Sequence, residues 1–138
     1  PKTGALSAPE LAAEMVNPSF VAAHPSGKAL YAVGEVSNAG GKKEGAVAAF
    51  ALDPRTGALT KLNDLGSGGA GPCHVAVSPN GRFAVVANYG GGSSAVYRLA
   101  EDGKLAEQTT FTQHAGTGGD PRRQKEPHAH SGAFDPSG

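Results

Sequence analysis

The sequence has few of the residues that mark several common protein classes. Among its 138 residues there is one cysteine, Cys73, and no tryptophan, and 12 basic residues balance 12 acidic ones. A single cysteine excludes an intramolecular disulfide and agrees with the reducing cytoplasm, where we expect the protein to be located. A chain without net positive charge or basic blocks is a poor candidate for binding the phosphate backbone of nucleic acid.

Long apolar runs are also missing. The longest, AVAAFAL at residues 46–52, is far shorter than the roughly 20 residues that a membrane-spanning helix needs. The chain opens at Pro1 without a charged segment followed by an apolar one, so no signal peptide is visible. We therefore expect neither nucleic acid nor a membrane as a partner.

Glycine and proline, by contrast, are abundant, with 21 and 10 residues. They are grouped in clusters such as DPRTG at 53–57 and SPNG at 78–81. Proline presets φ and glycine readily adopts positive φ, so these clusters have the chemistry of tight turns. The composition predicts many short strands joined by tight turns rather than disorder.

An internal repeat organises these turns. The segments PSFVAAHPSGKALYAV (18–33) and PCHVAVSPNGRFAVVA (72–87) share a first proline, a central Val-Ala, a Pro-(Ser/Asn)-Gly turn and an apolar run. The turn prolines Pro25 and Pro79 are 54 residues apart, and Pro136 follows 57 residues later. A second element recurs as TGAL at 3–6, TGAL at 56–59 and DGKL at 102–105. A period of about 46–57 residues is typical of propeller blades.

The repeat predicts an all-β fold, a partial β-propeller with about two full four-stranded blades plus flanking strands. The predicted blades are 18–66 and 72–111. Residues 1–16 would end a preceding blade, although PELAAEM also suits a helical turn, and 112–138 would form a loop and the inner strand of the next blade. The near-continuous apolar runs predict strands buried on both faces. Because two blades cannot close a ring, we expect a fragment of one propeller domain that packs against the remainder of its own propeller; the alternative is a small independent β domain.

Two segments, GPCHVAVSPNGRFAVVANYGGGSSAVYRLAEDGKL (71–105) and RQKEPHAHSGAFDPSG (123–138), resemble the lactonase family of seven-bladed propellers. That family contains the propeller-type 6-phosphogluconolactonases and the carboxymuconate-lactonizing enzymes. The resemblance implies hydrolysis of a sugar lactone, chiefly 6-phosphoglucono-1,5-lactone in the pentose phosphate route, with no metal and no organic cofactor. It also implies that His130, six residues before Pro136, is the catalytic histidine. The alternatives are a lactonizing cycloisomerase acting on a carboxylated muconate and a non-catalytic binding scaffold. This stretch alone is expected to be inactive.

Lactone hydrolysis needs a base for water, donors for the oxyanion and positive charge for any phosphate. His130 suits the base because histidine titrates near neutral pH. His128 lies two residues from His130, so on a regular strand both side chains point to the same face. His128 is therefore predicted to contact the substrate. The alternative for both histidines is a structural role, in which the imidazole ring forms a hydrogen bond with the backbone of the loop at the beginning of the strand. The His-x-His pattern also suggests a metal, but His74 and His114 are not spaced as a compact motif.

The other candidates are polar side chains near these histidines. Arg123 suits a bidentate anion contact and is predicted to be catalytic together with His130, whereas Arg122 is better explained by a solvated turn or an ion pair with Asp120 or Glu126. The predicted substrate contacts besides His128 are Gln124, His74 and Asn88. Asn88 and Tyr89 either line the site or fix the turn that follows. The adjacent Cys73 and His74 suggest a cysteine hydrolase, but neighbours on a regular strand point to opposite faces, so we expect Cys73 to be a small buried residue.

Overall fold

The computed structural model describes residues 3–137, which form two four-stranded antiparallel sheets. The first consists of β1 (Pro18–Ala23), β2 (Ala29–Gly34), β3 (Ala46–Leu52) and β4 (Leu59–Gly66). The second consists of β5 (Pro72–Val77), β6 (Phe83–Asn88), β7 (Ser93–Leu99) and β8 (Leu105–Gln113). In each sheet the strands lie in chain order, as in an up-and-down meander, with a 3₁₀ turn at Ala39–Gly41 before β3. The predicted all-β class is confirmed.

The sequence repeat is a structural repeat at the turn between the first two strands of each sheet. The residue before the turn proline accepts a hydrogen bond from the glycine amide three positions later, at 2.8 Å in both His24–Gly27 and Ser78–Gly81. The two glycines have φ of +69° and +70°. This left-handed conformation is unfavourable for residues with a Cβ, which explains why both turns carry glycine.

Each inner strand also carries a β-bulge one residue after its opening proline. The extra residue is Ser19 in β1 and Cys73 in β5. A bulge re-aims the side chains beside it and interrupts the alternation of a regular strand. The regular alternation that we assumed for Cys73 and His74 is therefore broken at the beginning of β5.

The main core lies between the two sheets. Its largest members are buried aromatic and branched side chains from both sheets: Tyr31, Val33, Val47, Val75, Val86, Tyr97 and Leu105. A smaller cluster on the opposite face of the first sheet joins Ala32, Ala48 and Phe50, and Met15 of the preceding segment packs against it. The strands β2 and β3 are thus covered on both faces, as their apolar runs predicted.

Two buried tyrosines tie the sheets together by hydrogen bonds. The hydroxyl of Tyr31 donates to the carbonyl oxygen of Gly103 at 2.9 Å, and that of Tyr97 donates to Gly66 at 2.6 Å. Burial, helped by the charge of Asp102, raises the pKa of Tyr31 to about 12. Both contacts join residues far apart in the chain and fix the two sheets relative to each other.

The segments that flank the sheets contain no paired strand within residues 3–137. Residues 3–16 have no regular secondary structure, and neither have residues 127–137, because a strand needs a neighbour to pair with. The outer strand at 1–16 and the inner strand within 112–138 stay predictions, and Pro1, Lys2 and Gly138 lie outside the described residues. In the part of the chain that the structure describes, no helix is long and apolar enough to cross a membrane.

Candidate functional site

The segment that holds His128 and His130 lies against the beginning of β5. The thiol of Cys73, the bulged residue, donates to the carbonyl oxygens of Ala129 at 3.6 Å and His130 at 3.5 Å. The amide of Gly132 approaches Nδ1 of His74 at 3.4 Å. The fold therefore brings together three of the predicted site residues, His74, His128 and His130, from two distant parts of the sequence.

Tyr89, the residue directly after β6, connects this group. Its ring stacks on that of His128, with centroids 4.3 Å apart and planes 13° apart. The ring of His130 meets it edge-on at 5.5 Å and 84°. Its hydroxyl oxygen accepts a hydrogen bond from Nη2 of Arg123 at 3.3 Å. The two residues predicted to be catalytic, His130 and Arg123, thus contact the same side chain.

Backbone contacts fix the tautomer of His128. Its Nδ1 lies 3.0 Å from the carbonyl oxygen of Tyr89. A carbonyl can only accept, so Nδ1 must carry the hydrogen. In the neutral ring, Nε2 then has the free lone pair that a general base needs.

His74 has the opposite arrangement. Because its Nδ1 accepts from the amide of Gly132, the hydrogen of the neutral ring must be on Nε2. Burial, and then electrostatic repulsion from His130 when that ring is protonated, lowers the pKa of His74, which favours the neutral ring. The ring of Phe20 packs against it at 4.4 Å. His74 is therefore prepared as a hydrogen-bond donor rather than as a base.

Phe20 was not singled out from the sequence, but the repeat contains a signal for it. Phe20 follows the bulge of β1 just as His74 follows the bulge of β5. Aligning the two units therefore places the pair at equivalent positions of neighbouring strands. Tyr89 was noted at the end of its strand, yet the sequence does not show which rings it touches.

Two predicted substrate contacts lie beside this group rather than within it. Asn88 is fully buried, and its Nδ2 donates to the carbonyl oxygen of Ser67 at 3.0 Å and to Oγ of Ser93 at 3.1 Å. Gln124 accepts from the amide of Asp120 at 2.9 Å. Gln124 and His128 both line a shallow depression of about 340 Å³.

The remaining candidates have simpler surroundings. Arg122 is exposed and lies 3.6 Å from the carboxylate of Asp120, in agreement with the ion pair expected for it. His114 is exposed and pairs with Oγ of Ser94 at 3.3 Å. Burial, followed by the charge of Glu35, raises the pKa of Cys73 and so disfavours the nucleophilic thiolate. Among residues 3–137 there is no group of three or more His, Cys, Asp or Glu side chains that could hold a metal ion.

Over residues 1–138 the chain matches the family described as lactonase, seven-bladed β-propeller. The chain belongs to this lactonase family. The predicted partial propeller is confirmed, since the two sheets correspond to propeller blades.

Similar proteins support this membership. A 6-phosphogluconolactonase of Bacillus subtilis is 38% identical over 132 residues, which are 96% of this chain and 36% of the relative. The crystal structure of a putative 6-phosphogluconolactonase from Bacteroides fragilis superposes with a TM-score of 0.74 at 39% identity, covering 84% of this chain and 31% of that one. The structure of a periplasmic gluconolactonase of Pseudomonas aeruginosa superposes with a TM-score of 0.81 at 30% identity, covering 91% of this chain and 36% of that one. The chain thus spans about a third of the length of these proteins.

Proposed function

We propose that the protein to which this chain belongs hydrolyses a sugar lactone, and that its substrate is 6-phosphoglucono-1,5-lactone. The observation that carries the proposal is the convergence of His74, His128, His130 and Arg123 around Tyr89 and the beginning of β5. Together these side chains offer what lactone hydrolysis requires: a base, a hydrogen-bond donor and a fixed positive charge. Membership of the lactonase family and the names of the similar proteins support it.

The chemistry assigns one task to each group. A histidine, His130 in the prediction made from the resemblance, takes a proton from water while the water oxygen attacks the lactone carbonyl carbon. The Nε2–H of His74 donates a hydrogen bond to the developing oxyanion. Preplaced hydrogen-bond donors stabilise such an oxyanion strongly where water is excluded from the site. The bond between the carbonyl carbon and the ring oxygen then breaks, and the ring oxygen receives the proton. The products are the open-chain acid and the restored base.

The other residues bind or support the substrate. Arg123 holds the phosphate, for which the planar guanidinium provides paired donors. Gln124 contacts the sugar from the depression that it lines together with His128. Asn88, being fully buried, acts indirectly by holding the chain before the glycine-rich turn. We retain the cytoplasm as the location of the reaction, on the ground of the single cysteine.

Proton release from freshly prepared 6-phosphoglucono-1,5-lactone tests the proposal in the intact protein, in the form that its cell makes. We expect hydrolysis faster than the spontaneous rate, and replacing His128 and His130 together by alanine should remove most of the gain. The matched control is His114→Ala, an exposed histidine whose ring pairs with Oγ of Ser94, which should behave as wild type. Loss of ultraviolet absorbance from a carboxylated muconate, without lactone hydrolysis, would instead identify a cycloisomerase. Absence of both activities would overturn the enzymatic proposal and leave the binding scaffold as the alternative.

A further inference from the structure

We propose that Tyr89 is the positioning residue of this site. In this proposal, which rests on the proposed lactone hydrolysis, it prepares His128 as the general base and holds Arg123 toward the substrate's phosphate. The sequence places Tyr89 either in the lining of the site or in the turn that follows, and neither the motifs nor the resemblance gives it the task of positioning other side chains. The proposal follows from the three contacts that its ring, carbonyl oxygen and hydroxyl make.

Two of these contacts act on His128. The carbonyl oxygen of Tyr89 receives the Nδ1 hydrogen at 3.0 Å, and the nearly parallel ring lies 4.3 Å away. The hydrogen bond selects the tautomer, and the stacked ring opposes rotation of the imidazole away from that bond. Nε2 is thereby held as an acceptor before substrate arrives, so no free energy is spent on ordering the base during the reaction.

His130 is less prepared for the same task. Its ring meets Tyr89 only by an edge, and among residues 3–137 no hydrogen bond to either of its ring nitrogens is present. Its backbone carbonyl, rather than its ring, accepts from Cys73. The structure therefore favours His128 as the base and gives His130 a supporting position next to it.

The third contact acts on Arg123. The side chain of this exposed arginine has many rotamers, and ordering it on binding costs free energy. The hydroxyl of Tyr89 engages one guanidinium N–H at 3.3 Å and leaves the remaining donors for an anion. This arrangement would increase the affinity for a phosphorylated lactone, whereas the affinity for an unphosphorylated lactone would not change.

Tyr89→Phe separates the hydroxyl from the ring in the intact protein. We expect the KM for 6-phosphoglucono-1,5-lactone to rise roughly three- to tenfold, the effect of one lost hydrogen bond, with kcat unchanged. The KM for glucono-1,5-lactone should stay as in wild type. In an Arg123→Ala background, Tyr89→Phe should have no further effect. Tyr97→Phe is a matched loss of a hydroxyl, one that donates to Gly66 instead of contacting Arg123, and should leave both KM values unchanged.

Tyr89→Leu removes the stacked ring as well. We expect kcat on both lactones to fall by about tenfold or more, because the imidazole loses its orientation. In a His128→Gln background the same substitution should lower kcat no further. The thermal midpoint, compared with that of Tyr89→Phe, checks that the variant is folded.

The outcomes separate the two proposals. If wild type accelerates hydrolysis of neither lactone, the proposed function fails. If wild type is active but Tyr89→Phe leaves the KM for the phosphorylated lactone unchanged, Tyr89 does not position Arg123. The same conclusion follows if Tyr89→Phe raises this KM by the same factor in the Arg123→Ala background as in wild type. If Tyr89→Leu lowers kcat as much without His128 as with it, Tyr89 does not prepare the base. Either of the last two results overturns the positioning role while lactone hydrolysis stands.

Discussion

The side-chain amide of Asn63 forms hydrogen bonds with both backbone groups of Leu105, as the backbone of a neighbouring strand would. It donates to the carbonyl oxygen of Leu105 at 2.7 Å and accepts from its amide at 3.1 Å. Asn63 is in β4 and Leu105 begins β8, so this reciprocal pair joins the outer strands of the two sheets. The sheets are therefore connected by specific polar contacts as well as by their shared core.

The first prediction concerns this connection. Asn63→Ala leaves both backbone groups of Leu105 without their partner, and an unsatisfied polar group costs about 1–3 kcal/mol. We expect the free energy of unfolding of the intact protein, measured in urea, to fall by that amount. Thr60→Ala, an exposed substitution in the same strand, should change it much less. Equal losses of unfolding free energy in the two variants would mean that the hydrogen bonds between Asn63 and Leu105 do not stabilise the protein.

The second prediction uses the two equivalent turn glycines. A Cβ at Gly81 would lie 2.6 Å from Nε2 of His24, a ring that also contacts the Gly81 carbonyl oxygen at 3.0 Å. A Cβ at Gly27, with nearly the same φ, would meet nothing within 4 Å. Gly27→Ala should cost about 1–2 kcal/mol for the left-handed backbone alone. Gly81→Ala should cost about 1–3 kcal/mol more in urea unfolding, because the ring must move. Losses of the same size would show that the contact between the two turns is unimportant.

The third prediction is a loss of stability at alkaline pH. The pKa of Tyr31 is 10.0 in the unfolded chain and about 12 in the fold. Its contribution is fully present below pH 10 and declines as the pH rises toward 12, by at most about 1.4 kcal/mol per pH unit. Tyr31→Phe should be less stable at pH 8, having lost the bond to Gly103, but should lose less stability between pH 10 and 12. Parallel stability curves for wild type and variant would contradict the assigned cause.

The fourth prediction concerns the cysteine. Burial raises the pKa of Cys73, and its thiol is engaged with the carbonyl oxygens of Ala129 and His130. We expect slow alkylation by iodoacetamide at pH 8 relative to a free thiol, and most of the proposed lactonase activity of the intact protein to remain in Cys73→Ser. Rapid alkylation together with an inactive serine variant would point to a cysteine nucleophile instead.

The fold was predictable from the sequence to the extent that it depends on local chemistry. The turns at Gly27 and Gly81 are recognisable because the glycine conformation and the preceding proline act within a few residues. The strand that follows each turn is recognisable from its apolar run. The bulge at Cys73 was not predictable, because it depends on how the strand pairs with its neighbour.

The candidate site was predictable in part for the same reason. His128, His130 and Arg123 are close in sequence, so their pattern could be read directly. The stacking of Tyr89 on His128 joins residues 39 apart, and its consequence for the tautomer depends on a backbone carbonyl. Such contacts arise from the packing of one repeat on the next, which spacing along the chain does not determine.

Proton release from 6-phosphoglucono-1,5-lactone tests the central claim most directly. The intact protein is added to freshly prepared lactone at constant pH, and the initial rate is compared with that of the protein-free solution. We predict a rate that increases in proportion to protein concentration and returns to the spontaneous value when His128 and His130 are both replaced by alanine. A wild-type rate equal to the spontaneous one, or a double variant as fast as wild type, would contradict the assignment of lactone hydrolysis to these histidines.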